Sequence, residues 1–361
     1  MIKSQDIKAK ILKLVGSKKT FNFDIKNAKN VLFLRYDRIG DMIITTPVFR
    51  ELKSALPHVK ITVLASKVNA EVLLNNPYVD QIIINHKNNF FIDLTSLLKL
   101  RQQKFDVCIE FDHSVVPHAI IRLKIINPKK IISIRKDGRY GVNGNELSMY
   151  DVYIDKLKKR HFRDIWLGVL KPFDIEPKSN KYDLFITSKL ENQAQNFIKK
   201  YPSKNLVGIN LMGAVKGKKI RFSELYQICQ ELYHQNNNIQ VVILTSPANF
   251  ERASQKVKKM ELDYVQMSYK TDTILAVAAI ISQLDLIITP DTSIVHIASA
   301  FNKPLVTIHE NNQDSYFLFS PTSRLHRTVF SKSKNSLNGF SVHLLLKHCF
   351  ELINLSKKGK L

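Results

Sequence analysis

The sequence predicts an α/β protein of two Rossmann-like parallel-sheet domains facing a cleft, followed by a C-terminal helix. Three observations carry that expectation. Continuous apolar runs of strand length, such as NVLFLRY at 30–36, mark strands buried on both faces of a parallel sheet. Each run passes through a short polar turn into a helix-patterned segment, and the rhythm occurs as two series separated by a looser stretch. The 361 residues, 44% of them hydrophobic, exceed one ordinary core and suit two domains of roughly 150 residues each.

In chain order, Ile7, Ile11, Leu14 and Val15 recur at helical spacing among Lys3, Lys8, Lys10 and Lys13. This is a short basic amphipathic helix, fit either to pack on the body of the protein or to lie on an anionic membrane. Strand 30–36 follows, then a helix ending before Pro57, a strand at 61–65, a helix over 68–75 and a short strand at 81–84. Helix 92–103, strand 106–111, helix 115–126 and strand 130–134 complete the first series. Residues 135–144 are turn-rich and basic, and 156–171 reads as helix. The Pro-, Asn- and Ser-containing stretch after it reads as an interdomain linker. The second series predicts strands at 206–211, 239–245, 264–267, 285–289 and 304–309. Helices are expected at 223–235, 250–260, 273–282 and 293–301, with YFLF at 316–319 in a further linker and a last helix over 342–355. The expected organisation is a basic amphipathic segment (1–29), a first domain (30–175), a linker (176–185), a second domain (186–330), and a C-terminal helix with a basic tail (331–361).

Composition excludes several classes. Eleven glycines and twelve prolines rule out collagen-like and low-complexity chains. Cys108, Cys229 and Cys349 have no paired spacing, which argues against a disulfide scaffold or zinc ribbon and fits a reducing compartment. The longest apolar stretch, near 274–281, is far short of a membrane span, and no secretory signal is read at the N-terminus. The expected location is therefore cytoplasmic, with possible contact to a membrane surface. Lysine and arginine number 55 against 31 acidic residues, a net charge of +24. Such a field attracts polyanions: nucleic acid, anionic lipid headgroups or phosphorylated glycans. Nucleic acid is the least expected of these, because no aromatic-interleaved basic signature occurs.

Ligands of doubly wound sheets sit outside the carboxyl ends of the strands, so the residues there matter most. The first strand ends in RYDRIGD, where Gly40 permits a tight turn and Asp41 falls in the first helical turn. Asp41 is either a plain helix cap or a general base. Strand 285–289 runs into Pro290, Asp291, Thr292 and Ser293, with His296 on the helix that follows. That arrangement caps the helix, and it equally presents N–H groups and hydroxyls to a diphosphate. The loop MGAVKGKKIR brings Lys216, Lys218, Lys219 and Arg221 to another strand end, where lysine suits phosphate. Neither G-x-G-x-x-G nor a P-loop is matched, and no His, Cys or Asp cluster has metal-ligand spacing. Two phosphate-friendly strand ends and a lone carboxylate fit a nucleotide-sugar transferase better than a dehydrogenase or NTPase.

Residues 31–64, VLFLRYDRIGDMIITTPVFRELKSALPHVKITVL, and 285–309, DLIITPDTSIVHIASAFNKPLVTIH, resemble glycosyltransferase family 9, the lipopolysaccharide heptosyltransferases. The resemblance implies a GT-B fold and a metal-independent, inverting transfer with no cofactor beyond an ADP-sugar substrate. It implies a lipid A–inner core acceptor at the cytoplasmic face of the inner membrane. By position, Asp41 matches the family's base. Asp291, Thr292 and His296 match its nucleotide-sugar site, with Ser293 where glycine is usual, and Lys218 or Lys219 matches the lysine facing the diphosphate. Residues 30–175 would be the acceptor side, where Arg38, Arg135, Lys136, Arg139, Lys158, Lys159, Arg160, His161 and Arg163 are candidate acceptor contacts. A same-fold enzyme using another nucleotide sugar, and a non-catalytic polyanion-binding protein, are the alternatives.

Overall fold

The computed structural model describes residues 4–86, 90–156, 159–202, 204–213 and 217–357. Lys158 and Lys216 thus lie outside the described residues. The chain divides into two compact units between Lys181 and Tyr182.

The first unit opens with α1 (Ser4–Val15), β1 (Asn30–Arg35), α2 (Ile39–Ala55), β2 (Lys60–Ser66) and β3 (Gln81–Asn85). It continues with α3 (Phe90–Gln102), β4 (Val107–Glu110), α4 (Pro117–Ile126), β5 (Lys130–Ile134), β6 (Val152–Ile154) and α5 (Phe162–Leu167). Its six strands pair in parallel in the order β3-β2-β1-β4-β5-β6. On one face Leu32, Leu34, Leu64 and Cys108 pack beneath α1, α3 and α4. On the other, Phe33 meets Phe49 of α2 edge-on at 4.9 Å, and Phe111 meets Trp166 of α5 at 5.5 Å. Pro47 interrupts the donor ladder of α2, but the Thr46 hydroxyl donates to the Ile43 carbonyl at 2.7 Å and satisfies the acceptor left open.

The second unit comprises α6 (Ser188–Ile198), β7 (Asn205–Asn210), α7 (Phe222–Gln235), β8 (Ile239–Leu244), α8 (Phe250–Lys258) and β9 (Val265–Met267). Then come α9 (Ile274–Gln283), β10 (Leu286–Pro290), α10 (Ser293–Ala300), β11 (Leu305–His309), α11 (Gln313–Phe319), β12 (His326–Phe330) and α12 (Val342–Lys357). The strand order is β12-β11-β10-β7-β8-β9, again all parallel. Counted from its own first strand, each unit therefore has the order 3-2-1-4-5-6 of a doubly wound Rossmann sheet. The strand order reverses between β1 and β4 in the first unit and between β7 and β10 in the second.

Several elements depart from the sequence reading. The helix expected over 68–75 is a single tight turn, Ala70–Leu73. Asn69 ties its start by accepting from the Ser66 N–H and donating to the Arg35 carbonyl, and Asn75 turns left-handed before Pro77. The helix expected over 156–171 starts only at Phe162 and tightens from Gly168, with Pro172 inside its last turn. The aromatic stretch 316–319 is part of α11, not linker. α6, β6 and β12 were not anticipated. α12 contributes Leu345, Cys349 and Leu352 to the core of the second unit, so the C-terminal helix is not a separate segment. Ala9 and Leu12 of α1 likewise join the core of the first.

Candidate functional site

In each unit the residues singled out at strand ends gather at the point where strand order reverses. In the first unit that point is the end of β1 beside β4. The β1–α2 turn is short because Arg38, in extended backbone, caps α2 directly, and this puts Asp41 in the first turn of that helix. Arg35, the last residue of β1, is only 2% exposed. Its guanidinium lies flat against Trp166, 3.9 Å from the ring centroid, and 5.2 Å from that of Phe111. One amino group donates to Asp37 at 2.8 Å, and another faces the Asp41 carboxylate at 3.5 Å. A buried cation thus holds two carboxylates at the strand end.

Beside it, β4 ends in Glu110, whose carboxylate accepts from Ser133 at 2.9 Å and from the Asp112 backbone N–H at 2.7 Å. Lys136 is buried against the same carboxylate and also donates to the Asp112 carbonyl. Burial, then Glu110 and Asp37, push the Asp112 carboxyl well above its ordinary range. Burial likewise raises Asp37, with Arg35 opposing. Two carboxyls raised by burial, Asp37 and Asp112, thus share this strand end with Asp41, an arrangement that acid–base sites favour.

The predicted acceptor contacts do not all share this end. Arg38 is exposed beside Asp41, and Arg135 directly follows β5, where it pairs with Asp155 at 2.6 Å. Arg139 stacks on Tyr140, Lys159 and Arg160 are exposed, and Arg163 pairs with its neighbour Asp164. His161 is buried as the N-cap of α5, its Nδ1 accepting the Arg163 N–H at 3.0 Å. That geometry makes it a helix cap.

In the second unit, beyond β7, Met212 bridges Lys219 antiparallel and the Gly213 N–H donates to the Lys218 carbonyl at 2.9 Å. The fold brings Gly213 so close to β10 that a Cβ there would lie 2.7 Å from the Thr292 methyl. This pairing carries Lys218 onto Asp291, Nζ to Oδ2 2.5 Å, with Glu310 at 3.7 Å. Lys219 faces away, lining a hollow of about 300 Å³ with Arg221, Arg252 and Lys256. Of the two candidate lysines, Lys218 is therefore the one at Asp291.

Thr292 is the N-cap of α10, its Oγ1 accepting from the Ile294 N–H at 3.2 Å. Asn210, at the end of β7, donates to the hydroxyls of Thr289 and Thr292 at 2.9 and 3.2 Å, locking the two central strands together. Ser293 opens α10. His296 is buried, in edge contact with the Tyr182 ring, and among the described residues its Nδ1 has no hydrogen-bond partner. Burial lowers it to about 4, against the pull of Asp291, so it is neutral at pH 7. His309, at the end of β11, is lowered to about 4 for the same reason, and its Nε2 is likewise unpartnered. Burial alone would raise the Asp291 carboxyl, but His309, Lys218 and His296 overcome it and hold it below its ordinary value. Two buried, unsatisfied ring nitrogens, a lysine and the mouth of a helix make a cradle for an anionic, hydrogen-bonding ligand.

Sequence reasoning passed over Arg35, Trp166, Glu110, Asp112, Asn210 and His309. His309 carried a signal: it ends a strand, and register pairs Ile308 beside it with Pro290. Asn210 carried the same signal. The Arg35–Trp166 stack carried none, since its two halves lie far apart in the chain.

Two Rossmann sheets with a carboxylate at one reversal point and an anion cradle at the other are the architecture of a GT-B glycosyltransferase. The chain belongs to glycosyltransferase family 9, the heptosyltransferases of lipopolysaccharide biosynthesis, whose family model matches residues 96–341. It is 25% identical over 307 residues to a protein of Escherichia coli K12 provisionally named lipopolysaccharide heptosyltransferase 4, covering 81% of this chain and 78% of the relative. The fold is similar to that of the glycosyl transferase family 9 protein from Veillonella parvula. The TM-score is 0.75 at 19% identity, over 93% of this chain and 99% of that one. It is also similar to E. coli heptosyltransferase WaaC with ADP, with a TM-score of 0.69 at 15% identity, over 90% and 99% of the two chains. Among the described residues no helix is long and apolar enough to cross a membrane.

Proposed function

We propose that the enzyme transfers heptose from ADP-heptose to a lipid A–inner core acceptor by a metal-independent, inverting displacement. It would act peripherally at the cytoplasmic face of an inner membrane. The observation that carries this reading is that each unit bears its own feature at its reversal point: Asp41 on the helix following β1, and the Lys218–Asp291–His296 cradle in the second sheet. In this reading an acceptor hydroxyl attacks the anomeric carbon while Asp41 takes its proton. The bond to the diphosphate breaks, and ADP leaves with its negative charge met by Lys218, Thr292, Ser293 and the N-terminus of α10. The crystallised complex of WaaC with ADP supports adenosine diphosphate as the leaving group. The name of the E. coli relative supports a lipopolysaccharide acceptor. Arg38, exposed on the Asp41 turn, suits an acceptor carrying phosphates and carboxylates.

The test is to incubate the purified protein with ADP-heptose and truncated lipid A–core acceptors, measuring ADP release and acceptor mass. Acceptor-dependent ADP with a one-heptose mass gain is expected. Turnover with another nucleotide sugar but not with ADP-heptose would overturn the donor. Neither turnover nor nucleotide binding with any of them would overturn the transferase reading as a whole.

A further inference from the structure

The outer layer of the first unit carries an apolar surface that the transferase chemistry does not use. α1, α4 and α3 lie side by side over one face of the sheet, α4 in the middle, their inner residues Leu12, Leu123 and Leu97 packed in one core. Their outward faces are not the polar ones expected of a solvated helix layer. On α1, Ile7, Ile11 and Leu14 are 49%, 55% and 74% exposed at a spacing of four and three residues, one above the other on a single stripe. On α4, Ile121 is exposed, and on α3 so are Leu98 and Phe91, the last at 80%. Seven of the fourteen large apolar side chains exposed in the described chain belong to these three helices.

Charge says what covers such a surface. Between the apolar positions stand exposed Lys8, Lys10, Lys13, Lys99, Arg101 and Lys124. Against them, Asp93 is occupied by Arg122 at 2.8 Å, and Glu146 pairs with Lys13 at 2.5 Å. Apolar side chains rimmed by lysine, in a chain of net charge +24, match a bilayer interface bearing anionic headgroups. A protein partner of matching shape would have to present both an apolar strip and an acidic rim, whereas an anionic bilayer presents both everywhere.

We infer that the α1–α4–α3 face docks the enzyme on an anionic lipid bilayer, with Ile11 and Leu14 inserted among the headgroups and the surrounding lysines on the phosphates. The inference builds on the reading of a lipid-linked acceptor, since docking would concentrate the enzyme on the surface that holds its substrate. It is tested without substrate, so its failure and that of the transferase reading are separable.

The experiment is co-sedimentation of the full-length protein with vesicles of phosphatidylethanolamine and phosphatidylglycerol, against vesicles of phosphatidylcholine alone. Wild type is expected to pellet with the anionic vesicles and to be released by salt, because the Debye length shrinks to about 3 Å at 1 M. Ile11→Asp/Leu14→Asp should lower partition at least tenfold. Lys8→Glu/Lys10→Glu should lower it further still, since each lysine at an anionic surface is worth roughly fivefold. Leu344→Asp, at an exposed apolar site on α12 of the second unit, should change nothing. Nucleotide binding and melting temperature verify that every variant is folded. Wild type remaining in the supernatant, or the Ile11/Leu14 variant binding as wild type does, would overturn the inference. So would a wild-type dimer that the same variant dissolves in the absence of lipid, because the face would then be covered by a second copy of the chain.

Discussion

The two sheets have the same strand order, and their reversal points have opposite chemistry. At the end of β1 and β4 the first unit concentrates Asp37, Asp41, Glu110 and Asp112 over two buried cations, Arg35 and Lys136. At the end of β7 and β10 the second unit places Asp291, with Glu310 behind it, against a lysine and two neutral histidines. One topology thus supplies two concave strand ends, and the side chains decide what each does. The acidic end can accept a proton at Asp41, whose part-buried carboxylate meets Arg35 only at 3.5 Å, whereas Asp37 is bonded to the same guanidinium at 2.8 Å. The second end offers an anion a lysine, two unpartnered ring nitrogens and a helix mouth. The comparison predicts that damage at the first end shows in the chemical step or in folding, and damage at the second in nucleotide binding.

The sharpest test is Asp41→Asn. If Asp41 is the base, kcat should fall roughly 10²- to 10⁴-fold while donor affinity stays within about twofold, the range that general-base catalysis commands. Transfer within tenfold of wild type would move the base elsewhere in the cluster. Next in size is Arg35→Met, which keeps the packing against Trp166 but leaves Asp37 and Asp41 without their shared cation. Breaking a buried ion pair from one side costs about 3–5 kcal/mol, so denaturant unfolding should register a loss of that order in the first unit. Asp37, already raised by burial, should rise further and carry the pH–rate profile with it. A variant as stable as wild type would show that the guanidinium is not the keystone of the acidic end.

The second end is distinguished by acid. An unfolded histidine titrates near 6.5, whereas His296 and His309 titrate at about 4 in the fold. Between those values the unfolded chain binds protons that the folded chain refuses. The two histidines therefore add no slope above about pH 6.5 and cost stability as pH drops toward 4, by up to roughly 3 kcal/mol each, while Asp37 and Asp112, raised in the fold, pull the other way. Asp291, held below its ordinary value, adds nothing in that window and begins to cost stability only below it. Unfolding followed from pH 7.5 to 4.5 isolates the histidine part as a difference: His296→Gln/His309→Gln should gain stability relative to wild type as pH falls. An unchanged slope in the double variant would place the acid sensitivity outside the cradle.

What the sequence revealed of this design follows chain locality. The β1 turn with Asp41 and the β10 turn with Asp291, Thr292 and His296 were legible because strand, turn and helix are contiguous. A carboxylate in a first helical turn is a local statement. Arg35 was hidden because its meaning depends on Trp166, which only the packing of α5 on α2 brings beneath it. His161 was expected among the acceptor contacts on the family resemblance alone. The backbone instead turns its ring inward to cap α5. β12 escaped because an edge strand that is only half-buried shows no continuous apolar run. α6 escaped despite a Thr187 cap, since its apolar positions are few and its helical face is mostly polar. Lys218 and Lys219 could not be ranked without the antiparallel pairing that turns one toward Asp291 and the other away.

The finest test concerns Thr292, which joins the two central strands of the cradle. Its hydroxyl caps α10 through the Ile294 N–H and accepts from Asn210, while its methyl packs against Gly213. Thr292→Val keeps the methyl contact and deletes only the hydroxyl. The α10 cap is lost, and Asn210 keeps its bond to Thr289. The expected cost is about 1 kcal/mol of stability, the usual value of an N-cap. Because the same hydroxyl stands where an anion would meet the helix mouth, the donor KM should rise several-fold while kcat at saturating donor stays within about twofold. A comparable fall in kcat would mean that the second end takes part in the chemical step, and the division of labour between the two strand ends would have to be redrawn.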